Sequence, residues 1–187
     1  MSEVVLLAGS LTLRSLPISL ETELEVLIAS NSEFLVGDAH GADLLLQEFL
    51  KRKAVRSVTV FYSNAIRNNA GSWVSNFVES NLKSRGKDSH AAKDREMCRL
   101  ASAGLVVWDG RSAGTLANVI DLVEQGKSVK IFYTDQKSVS LSTRQAVETL
   151  CSSTQESQLA LTEAVSRLRR YRDRASRSIN VQSDTLF

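Results

Sequence analysis

The stretch from residue 34 to residue 50, FLVGDAHGADLLLQEFL, carries the pattern that decides the fold. It begins with the apolar run Phe34 to Val36, passes through small and polar residues from Gly37 to Asp43, and continues with apolar residues at helical spacing. A short, wholly apolar run suits a strand that is covered on both faces, as in a parallel sheet. The stretch therefore predicts a strand, a tight loop and a helix, which together begin a βαβ unit.

Similar units recur on both sides of this stretch. Further strands are predicted at Val4 to Leu7, Val58 to Tyr62, Leu105 to Trp108 and Val129 to Tyr133. Helices are predicted around Leu20 to Ile28, Leu45 to Leu50, Trp73 to Val78 and Leu116 to Val123. The alternation predicts an α/β fold, a Rossmann-like doubly wound parallel sheet of about five strands in the order 3-2-1-4-5. In such sheets, ligands bind at the carboxyl ends of the strands.

The chain changes character after Tyr133. We expect a polar link over residues 136–142, one long helix over about residues 154–177, and a frayed tail from Ile179 to Phe187. We therefore divide the chain into a Rossmann-like ligand-binding domain, residues 1–135, and a C-terminal helical extension, residues 143–178.

The long helix combines an apolar stripe with an arginine-rich second half. Leu161, Val165 and Leu168 follow one face. Such a helix is not stable alone, so it must pack on its own domain or on a second copy, and we expect a homo-oligomer. Its arginines are the sequence support for nucleic acid as a partner, which the net charge of +2 does not favour.

Composition excludes several classes of protein. With 187 residues, 43% hydrophobic and 24% charged, the chain has the balance of one folded domain and not of a disordered or multidomain protein. Cys98 and Cys151 lie outside any metal-binding spacing, so we expect buried thiols, a reducing compartment and no bound metal. No signal peptide or membrane span is visible. We expect a cytoplasmic protein with no membrane partner and no cofactor.

The loop from Gly37 to Asp43 is the strongest candidate for ligand binding. A glycine at a strand end lets a ligand approach the backbone, and free N–H groups at a helix start attract an anion. Asp38 would repel a phosphate, so its predicted partner is a ribose hydroxyl. The alternative is a purely structural turn in which Asp43 caps the helix.

A second candidate loop runs from Asp109 to Thr115. Ser112 and Thr115 offer hydroxyl donors beside the bare backbone of Gly114, which suits phosphate or sugar oxygens. The alternative is a simple serine or threonine helix cap. Gly9 and Ser10 follow the first strand, and parallel topology brings all three loops to one edge of the sheet.

These motifs together resemble the SLOG superfamily, which includes DprA-like, LOG and YpsA-like proteins. The resemblance rests on Gly9-Ser10, on the Gly-Asp-Ala-x-Gly-Ala-Asp motif from Gly37, on the charged helix Lys93-Asp94-Arg95-Glu96-Met97, and on Asp-Gly-x-Ser-x-Gly-Thr from Asp109. It covers roughly residues 4–134 and is greatest for the small YpsA-related branch. It implies a Rossmann-like domain that binds a nucleotide or nucleotide-derived molecule at these loops.

Two features bear on catalysis. LOG enzymes, which cleave an N-glycosidic bond, carry an acidic residue one helical turn after their Gly-x-Gly-Thr motif, where this chain has Asn118. An amide cannot stabilise an oxocarbenium ion as a carboxylate does, so we expect binding without cleavage. The alternative is an enzyme that cleaves an N-glycosidic bond, a LOG-like phosphoribohydrolase or a deoxyribosyltransferase-like protein, with Glu96 or Asp109 as its catalytic carboxylate. The third hypothesis is a DprA-like nucleic-acid binder.

The predicted binding residues come from these motifs. Arg95 is expected to clamp a phosphate, because its guanidinium offers paired donors. The full set is Gly9, Ser10, Gly37, Asp38, Gly41, Asp43, Arg95, Asp109, Gly110, Ser112, Gly114, Thr115 and Asn118.

Overall fold

The computed structural model describes residues 2–79 and 87–183, with side chains described except at 87–90 and 175–183. Within these ranges the chain forms one sheet of seven strands in the order β4-β3-β2-β1-β5-β6-β7. All neighbours are parallel except β6 and β7, which are antiparallel. The strands are β1 Val4–Gly9, β2 Glu33–Gly37, β3 Val58–Tyr62, β4 Val74–Phe77, β5 Ala103–Val107, β6 Ser128–Phe132 and β7 Ser138–Leu141.

Helices cover both faces of this sheet. They are α1 Ile18–Ala29, α2 Ala42–Arg52, α3 Lys87–Leu100, α4 Ala113–Glu124, α5 Arg144–Cys151 and α6 Gln155–Ser183. Successive side chains of β1 point to opposite faces. Val5 and Leu7 pack in one core cluster with residues of α1 and α2, whereas Leu6 and Ala8 pack in another with residues of α3 to α6. The α/β doubly wound fold predicted from the apolar runs is confirmed.

The five predicted strands are β1, β2, β3, β5 and β6, and they have the predicted order. Their cores are buried on both faces, which is why each is almost wholly apolar. The two further strands extend the sheet at its edges, where one neighbour suffices and the apolar signal is weaker.

The helix predicted over Trp73 to Val78 is wrong. Val74 to Phe77 form the edge strand β4, which pairs with β3 from Thr59 to Tyr62. A segment this short makes few helical hydrogen bonds, whereas pairing with an existing strand offers a ready ladder. The crossover helix on this side of the molecule is α3, which contains the charged segment Lys93 to Met97.

The polar link expected over residues 136–142 is also wrong in part. Residues 138–141 alternate Ser-Val-Ser-Leu, with Val139 and Leu141 turned toward the core, and form β7. A tight turn joins β7 to β6, with the Tyr133 N–H donating to the Lys137 carbonyl at 2.9 Å. Helix α5 then begins where the Thr143 hydroxyl accepts the Ala146 N–H.

The long C-terminal helix is confirmed and extends further than predicted, to Ser183. Of the predicted stripe, Leu168 is buried, whereas Leu161 and Val165 are only partly buried; the other buried apolar positions are Ala160 and Ala164, and the helix packs on α4 of the same chain. This packing satisfies the apolar stripe without a second copy, so self-association stays a prediction. Residues 179–183, expected to fray, belong to the helix, and residues 184–187 of the predicted tail lie outside the described residues.

Both cysteines are buried, as expected. Burial raises the pKa of the Cys98 thiol to about 12, which removes it as a nucleophile at neutral pH. In the part of the chain that the structure describes, no helix has the length and apolar content needed to span a membrane.

Candidate functional site

A cleft of about 660 Å³ lies at the carboxyl end of β1, beside the loop that leads from β5 into α4. Its volume falls within the range of small-molecule binding sites. Gly9, the first turn of α4 and residues of α3 and α6 line it. This is the edge of the sheet where Rossmann-like proteins bind their ligands.

The loop after β5 is shaped by Asp109. One carboxylate oxygen accepts the N–H groups of Arg111, at 3.1 Å, and Ser112, at 2.8 Å, while the other accepts the Thr12 hydroxyl at 2.9 Å. Burial would raise the pKa of Asp109, but these hydrogen bonds outweigh burial and lower it. Asp109 therefore holds the loop backbone in place through these hydrogen bonds. Asp109 and Gly110 do not line the cleft.

The first turn of α4 faces the cleft. Ser112 occupies the N-cap position, but its side chain accepts no backbone N–H; instead it accepts the Thr115 hydroxyl at 3.0 Å. The first N–H groups of a helix have no partner within the helix. A Cβ on Gly114 would lie 3.3 Å from Nη1 of Arg167, so this glycine leaves room for an arginine of α6. Hydroxyls, amides and the Arg167 guanidinium, which also pairs with Glu163 of α6, thus lie near one another.

The loop after β2 uses its carboxylate differently. Asp38 is only 2% exposed and receives two hydrogen bonds from the Arg67 guanidinium, at 2.8 and 3.0 Å, and one from Lys93 at 3.1 Å. Burial would raise the pKa of Asp38, but Arg67 and Lys93 lower it to about 2. The structure does not place Asp38 in the cleft, because its expected ribose partner is replaced by two cations from elsewhere in the chain.

The glycines of the same loop serve packing. Gly41 has a φ of 74°, and a Cβ there would collide with the backbone of Leu11. A Cβ on Gly37 would meet the Asp43 carboxylate and Nζ of Lys93. Neither glycine lines the cleft, and both are required by close approach of protein atoms.

Asp43 does line the cleft. Its carboxylate accepts the Ala39 N–H at 3.1 Å and lies 3.9 Å from Nζ of Lys93. Burial raises the pKa of Asp43. Burial would lower the pKa of Lys93, but the carboxylates of Asp94, Asp43 and Asp38 outweigh it and raise that pKa, so Lys93 keeps its charge. His40, in the same loop, is exposed to solvent.

Gly9, at the end of β1, and Ser10, which follows it, have different roles: one lines the cleft and the other connects two loops. Gly9 lines the cleft, and a Cβ there would lie 2.6 Å from the Ala42 Cβ, so β1 and α2 are in close contact at this point. Ser10 is fully buried, and its hydroxyl accepts the Asp109 N–H at 3.1 Å. Ser10 therefore joins two loops to each other and is not available to a ligand.

Arg95 lines the cleft but is held by α4. Its guanidinium lies 3.1 Å from the Asp121 carboxylate and donates to the Ala117 carbonyl and to the Asn118 side chain. These contacts fix Asn118, which also lines the cleft. The expected phosphate clamp is thus largely engaged within the protein.

Glu96 lies outside the cleft. It forms two hydrogen bonds with Arg99, at 2.7 and 2.8 Å, and those bonds lower the pKa of its carboxyl group. Both predicted catalytic carboxylates, Glu96 and Asp109, are therefore engaged elsewhere. In the described structure the acidic side chains that line the cleft are Asp43, Asp94 and Glu163.

Seven of the thirteen predicted binding residues line the cleft: Gly9, Asp43, Arg95, Ser112, Gly114, Thr115 and Asn118. The other six, Ser10, Gly37, Asp38, Gly41, Asp109 and Gly110, shape the loops around it in the described part of the chain. The first group consists of buried or partly buried residues at the cleft wall, and the second of glycines at the turns and polar groups whose partners lie within the protein.

Of the seven basic side chains that line the cleft, the sequence analysis predicted only Arg95. The lining cations it did not assign to the cleft are Arg67, Lys93, Arg111, Arg167, Arg170 and Arg174. The arginine spacing of the long helix was a usable signal, because Arg167, Arg170 and Arg174 fall on one helical face. Nothing in the local sequence marked Arg67, which lies in the irregular segment after β3.

The cleft is lined by more basic than acidic side chains. Among its described lining residues, seven are Lys or Arg and three are Asp or Glu. No group of three potential metal-ligating side chains comes together within residues 2–79 and 87–183. Comparison with family models, with curated proteins and with solved structures finds no match to this chain.

Proposed function

We propose that the protein binds a nucleotide or a nucleotide-derived small molecule in the cleft. The observation that carries this proposal is the set of seven basic side chains that line the cleft together with the first turn of α4. Cations, hydroxyl donors and a helix start are the groups that proteins use for phosphate. Acidic side chains within the same cleft are suited to hydroxyl or amino groups on the rest of the ligand.

The walls of the cleft suggest an orientation for such a ligand. Ser112, Gly114 and Thr115, beside Arg111 and Arg167, offer the phosphate end. Asp43 and Asp94 lie by Lys93, toward α2 and α3, and carboxylates there accept hydrogen bonds from sugar hydroxyls. In this proposal Asp43 and Asp94 take the sugar-binding role expected of Asp38.

Binding without cleavage is the favoured form of this proposal. Asn118 is an amide held by Arg95, and neither Glu96 nor Asp109 enters the cleft. The N-glycosidase alternative then needs one of the cleft acids, of which Asp43 accepts the Ala39 N–H and Glu163 pairs with Arg167, so Asp94 of α3 is the candidate to test. The SLOG assignment, based on the motifs above, agrees with either form and stays a prediction.

The nucleic-acid alternative has less support. It depended on the arginine-rich helix, but Arg167, Arg170 and Arg174 line the cleft. Arg172 pairs with Glu124 at 2.6 Å and with Asp121 at 3.5 Å. A duplex or single strand needs a continuous basic surface, which these residues do not provide.

The test is a thermal unfolding panel of adenine and guanine nucleotides, with Thr115→Val and Arg111→Ala as cleft variants. At a concentration one hundred times Kd, a bound nucleotide adds about 2.7 kcal/mol of stability, which raises Tm by about 5 to 10 °C. We expect both variants to reduce this shift. Arg169→Ala is the matched control, because Arg169 is an exposed arginine of α6 outside the described cleft lining.

Two results would contradict the proposal. If no nucleotide shifts Tm, or if Arg169→Ala reduces the shift as much as the cleft variants do, specific binding in the cleft is excluded. Chromatography of the same mixtures decides between binder and enzyme. Release of free base that Asp94→Asn abolishes would establish the N-glycosidase alternative.

A further inference from the structure

Helix α6 presents a row of polar side chains to the cleft. Arg167, Arg170, Tyr171 and Arg174 all line it, and their spacing of three, one and three residues places them on one helical face. With a rise of 1.5 Å per residue, the row from Arg167 to Arg174 extends about 10 Å along the helix. Its start is located by Gly114, the α4 residue that lies against Arg167.

The row is held in place by packing. Ala160, Ala164 and Leu168 are almost fully buried against α4. Arg172, which is not part of this row, forms ion pairs with Asp121 and Glu124 of α4. These contacts fix the rotation of α6, so the cleft-facing arginines are positioned before any ligand arrives.

Four of the cations that line the cleft are paired with acidic side chains. Asp38 pairs with Arg67 and Lys93, Asp121 pairs with Arg95, and Glu163 pairs with Arg167. Among the described acids, none forms an ion pair with Arg111 or Arg170, and the Arg170 guanidinium donates to the Ser166 hydroxyl at 2.8 Å.

We propose that Arg170 and Arg174 of α6 form a second anion-binding site, next to the first at Ser112 to Thr115, so that the ligand carries a pyrophosphate group. This inference rests on the proposed function and names its ligand class: a nucleoside diphosphate or a molecule with a bridging pyrophosphate. A single phosphate at Ser112, Gly114 and Thr115 would contact only the beginning of the row. A second phosphate reaches the arginines further along the helix.

Arginine suits this role because its planar guanidinium binds phosphate oxygens in pairs. A pyrophosphate can be terminal, as in ADP, or bridging, with a further group attached to the second phosphate, as in ADP-ribose. Both forms offer the arginines the same phosphate oxygens. The α6 wall is therefore expected to discriminate by the number of phosphates, whereas the sugar side of the cleft recognises the nucleoside.

The test is isothermal titration of the full-length protein with AMP, ADP, ADP-ribose and inorganic pyrophosphate. The double variant Arg170→Ala with Arg174→Ala is compared with a control of equal charge loss, Arg56→Ala with Arg169→Ala. Arg56 is exposed and precedes β3, so it lies at the amino ends of the strands, whereas the cleft lies at their carboxyl ends. Tm without ligand is measured for each variant, so that a folding defect is recognised.

We expect the α6 variant to raise the Kd of ADP, ADP-ribose and pyrophosphate about tenfold or more, the effect of losing charged hydrogen bonds. The Kd of AMP should stay within about twofold of the wild-type value. The control should change every ligand equally and by less than the α6 variant changes ADP. Tighter binding of ADP-ribose than of ADP would identify the bridging form, and the reverse order would identify the terminal form.

The inference and the proposed function fail in different ways. If AMP and ADP bind equally well and the α6 variant affects both alike or neither, the second anion site is excluded while nucleotide binding stands. If no nucleotide binds but pyrophosphate binds and requires Arg170 and Arg174, the α6 site stands and the nucleotide proposal is wrong. If neither class binds, both are wrong.

Discussion

The loops after β2 and β5 occupy equivalent places at the same edge of the sheet, and both join a buried strand to a helix through small and polar residues. Their polar groups nevertheless have opposite uses. In the loop from Gly37 to Asp43, the Asp38 carboxylate accepts hydrogen bonds from Arg67 and Lys93. In the loop from Asp109 to Thr115, one carboxylate folds the backbone, and the hydroxyls of Ser112 and Thr115 line the cleft.

The glycines of the two loops differ in the same way. Protein atoms fill the space beside Gly37 and Gly41, so a ligand has no access to them. No described atom lies within 4 Å of a Cβ built on Gly110, and Gly114 adjoins an arginine that itself lines the cleft. Open space beside a loop glycine does not by itself indicate binding, because Gly110 has such space and does not line the cleft.

The first prediction compares the stability lost when the aspartate of each loop is replaced, and it has the largest expected effect. Asp38→Ala removes the hydrogen-bonded partner of Lys93, whose side chain is only 4% exposed, and should lower the free energy of unfolding by about 3 to 5 kcal/mol. Asp109→Ala removes hydrogen bonds near the surface of its loop and should cost about 1 to 2 kcal/mol. Urea unfolding measures both. Equal losses would contradict the distinction between a buried charge network and a loop cap.

The second prediction compares two glycines with positive φ. Gly41→Ala combines backbone strain with a collision against Leu11 and should cost about 3 kcal/mol. Gly110→Ala meets no neighbouring atom, so backbone strain alone should cost about 1 to 2 kcal/mol. The measurement is the denaturant midpoint of each variant. A smaller loss at Gly41 than at Gly110 would show that the contact with Leu11 is not maintained.

The third prediction concerns pH. The folded-state pKa of Asp38, about 2, lies below its ordinary value of 3.8, so its stabilising contribution is present above about pH 4 and lost as the pH falls toward 2. The shift corresponds to about 2 kcal/mol. The raised pKa of Asp43 acts in the opposite sense, favouring the folded state at low pH and losing that contribution as the pH rises.

The contribution of Asp38 is isolated by difference. The stability gap between the wild type and Asp38→Asn, measured by urea unfolding from pH 5 to pH 2, should narrow by about 2 kcal/mol. Asp43 is present in both proteins, and Asp38 is the last and smallest of the named causes of its raised pKa, so the Asp43 contribution changes little between them. A gap that stays constant over this range would mean that Arg67 and Lys93 do not bias the ionisation of Asp38.

The smallest expected change in stability belongs to the cleft side of the second loop. Thr115→Val keeps the side-chain volume and removes one hydroxyl that donates to Ser112, so unfolding free energy should change by less than about 1 kcal/mol. The Kd of a bound nucleotide should rise about tenfold, because the Ser112 hydroxyl at the phosphate end loses the hydrogen bond that orients it. Calorimetry and urea unfolding on one sample test this. A large loss of stability with unchanged Kd would assign Thr115 to the structural class with Gly41.

Much of the fold was readable from the chain because burial imposes local periodicity. Runs such as Val4 to Leu7 are apolar on both faces only when helices cover both, and this predicted five strands in their observed order. The helix predicted at Trp73 to Val78 failed because a few apolar residues fit a helix and an edge strand equally well. Strand β7 kept a two-residue alternation, but serines at every second position disguised it.

The sequence by itself determined the doubly wound sheet, the long C-terminal helix and the edge at which the glycine loops meet. Only the tertiary structure decided which polar groups remain for a ligand. Asp38 meets Arg67 and Lys93, which are 29 and 55 residues away along the chain, and Arg167 of α6 reaches the first turn of α4. Periodicity reports whether a side chain is buried, whereas hydrogen bonds and ion pairs depend on distances that arise only when remote segments pack together.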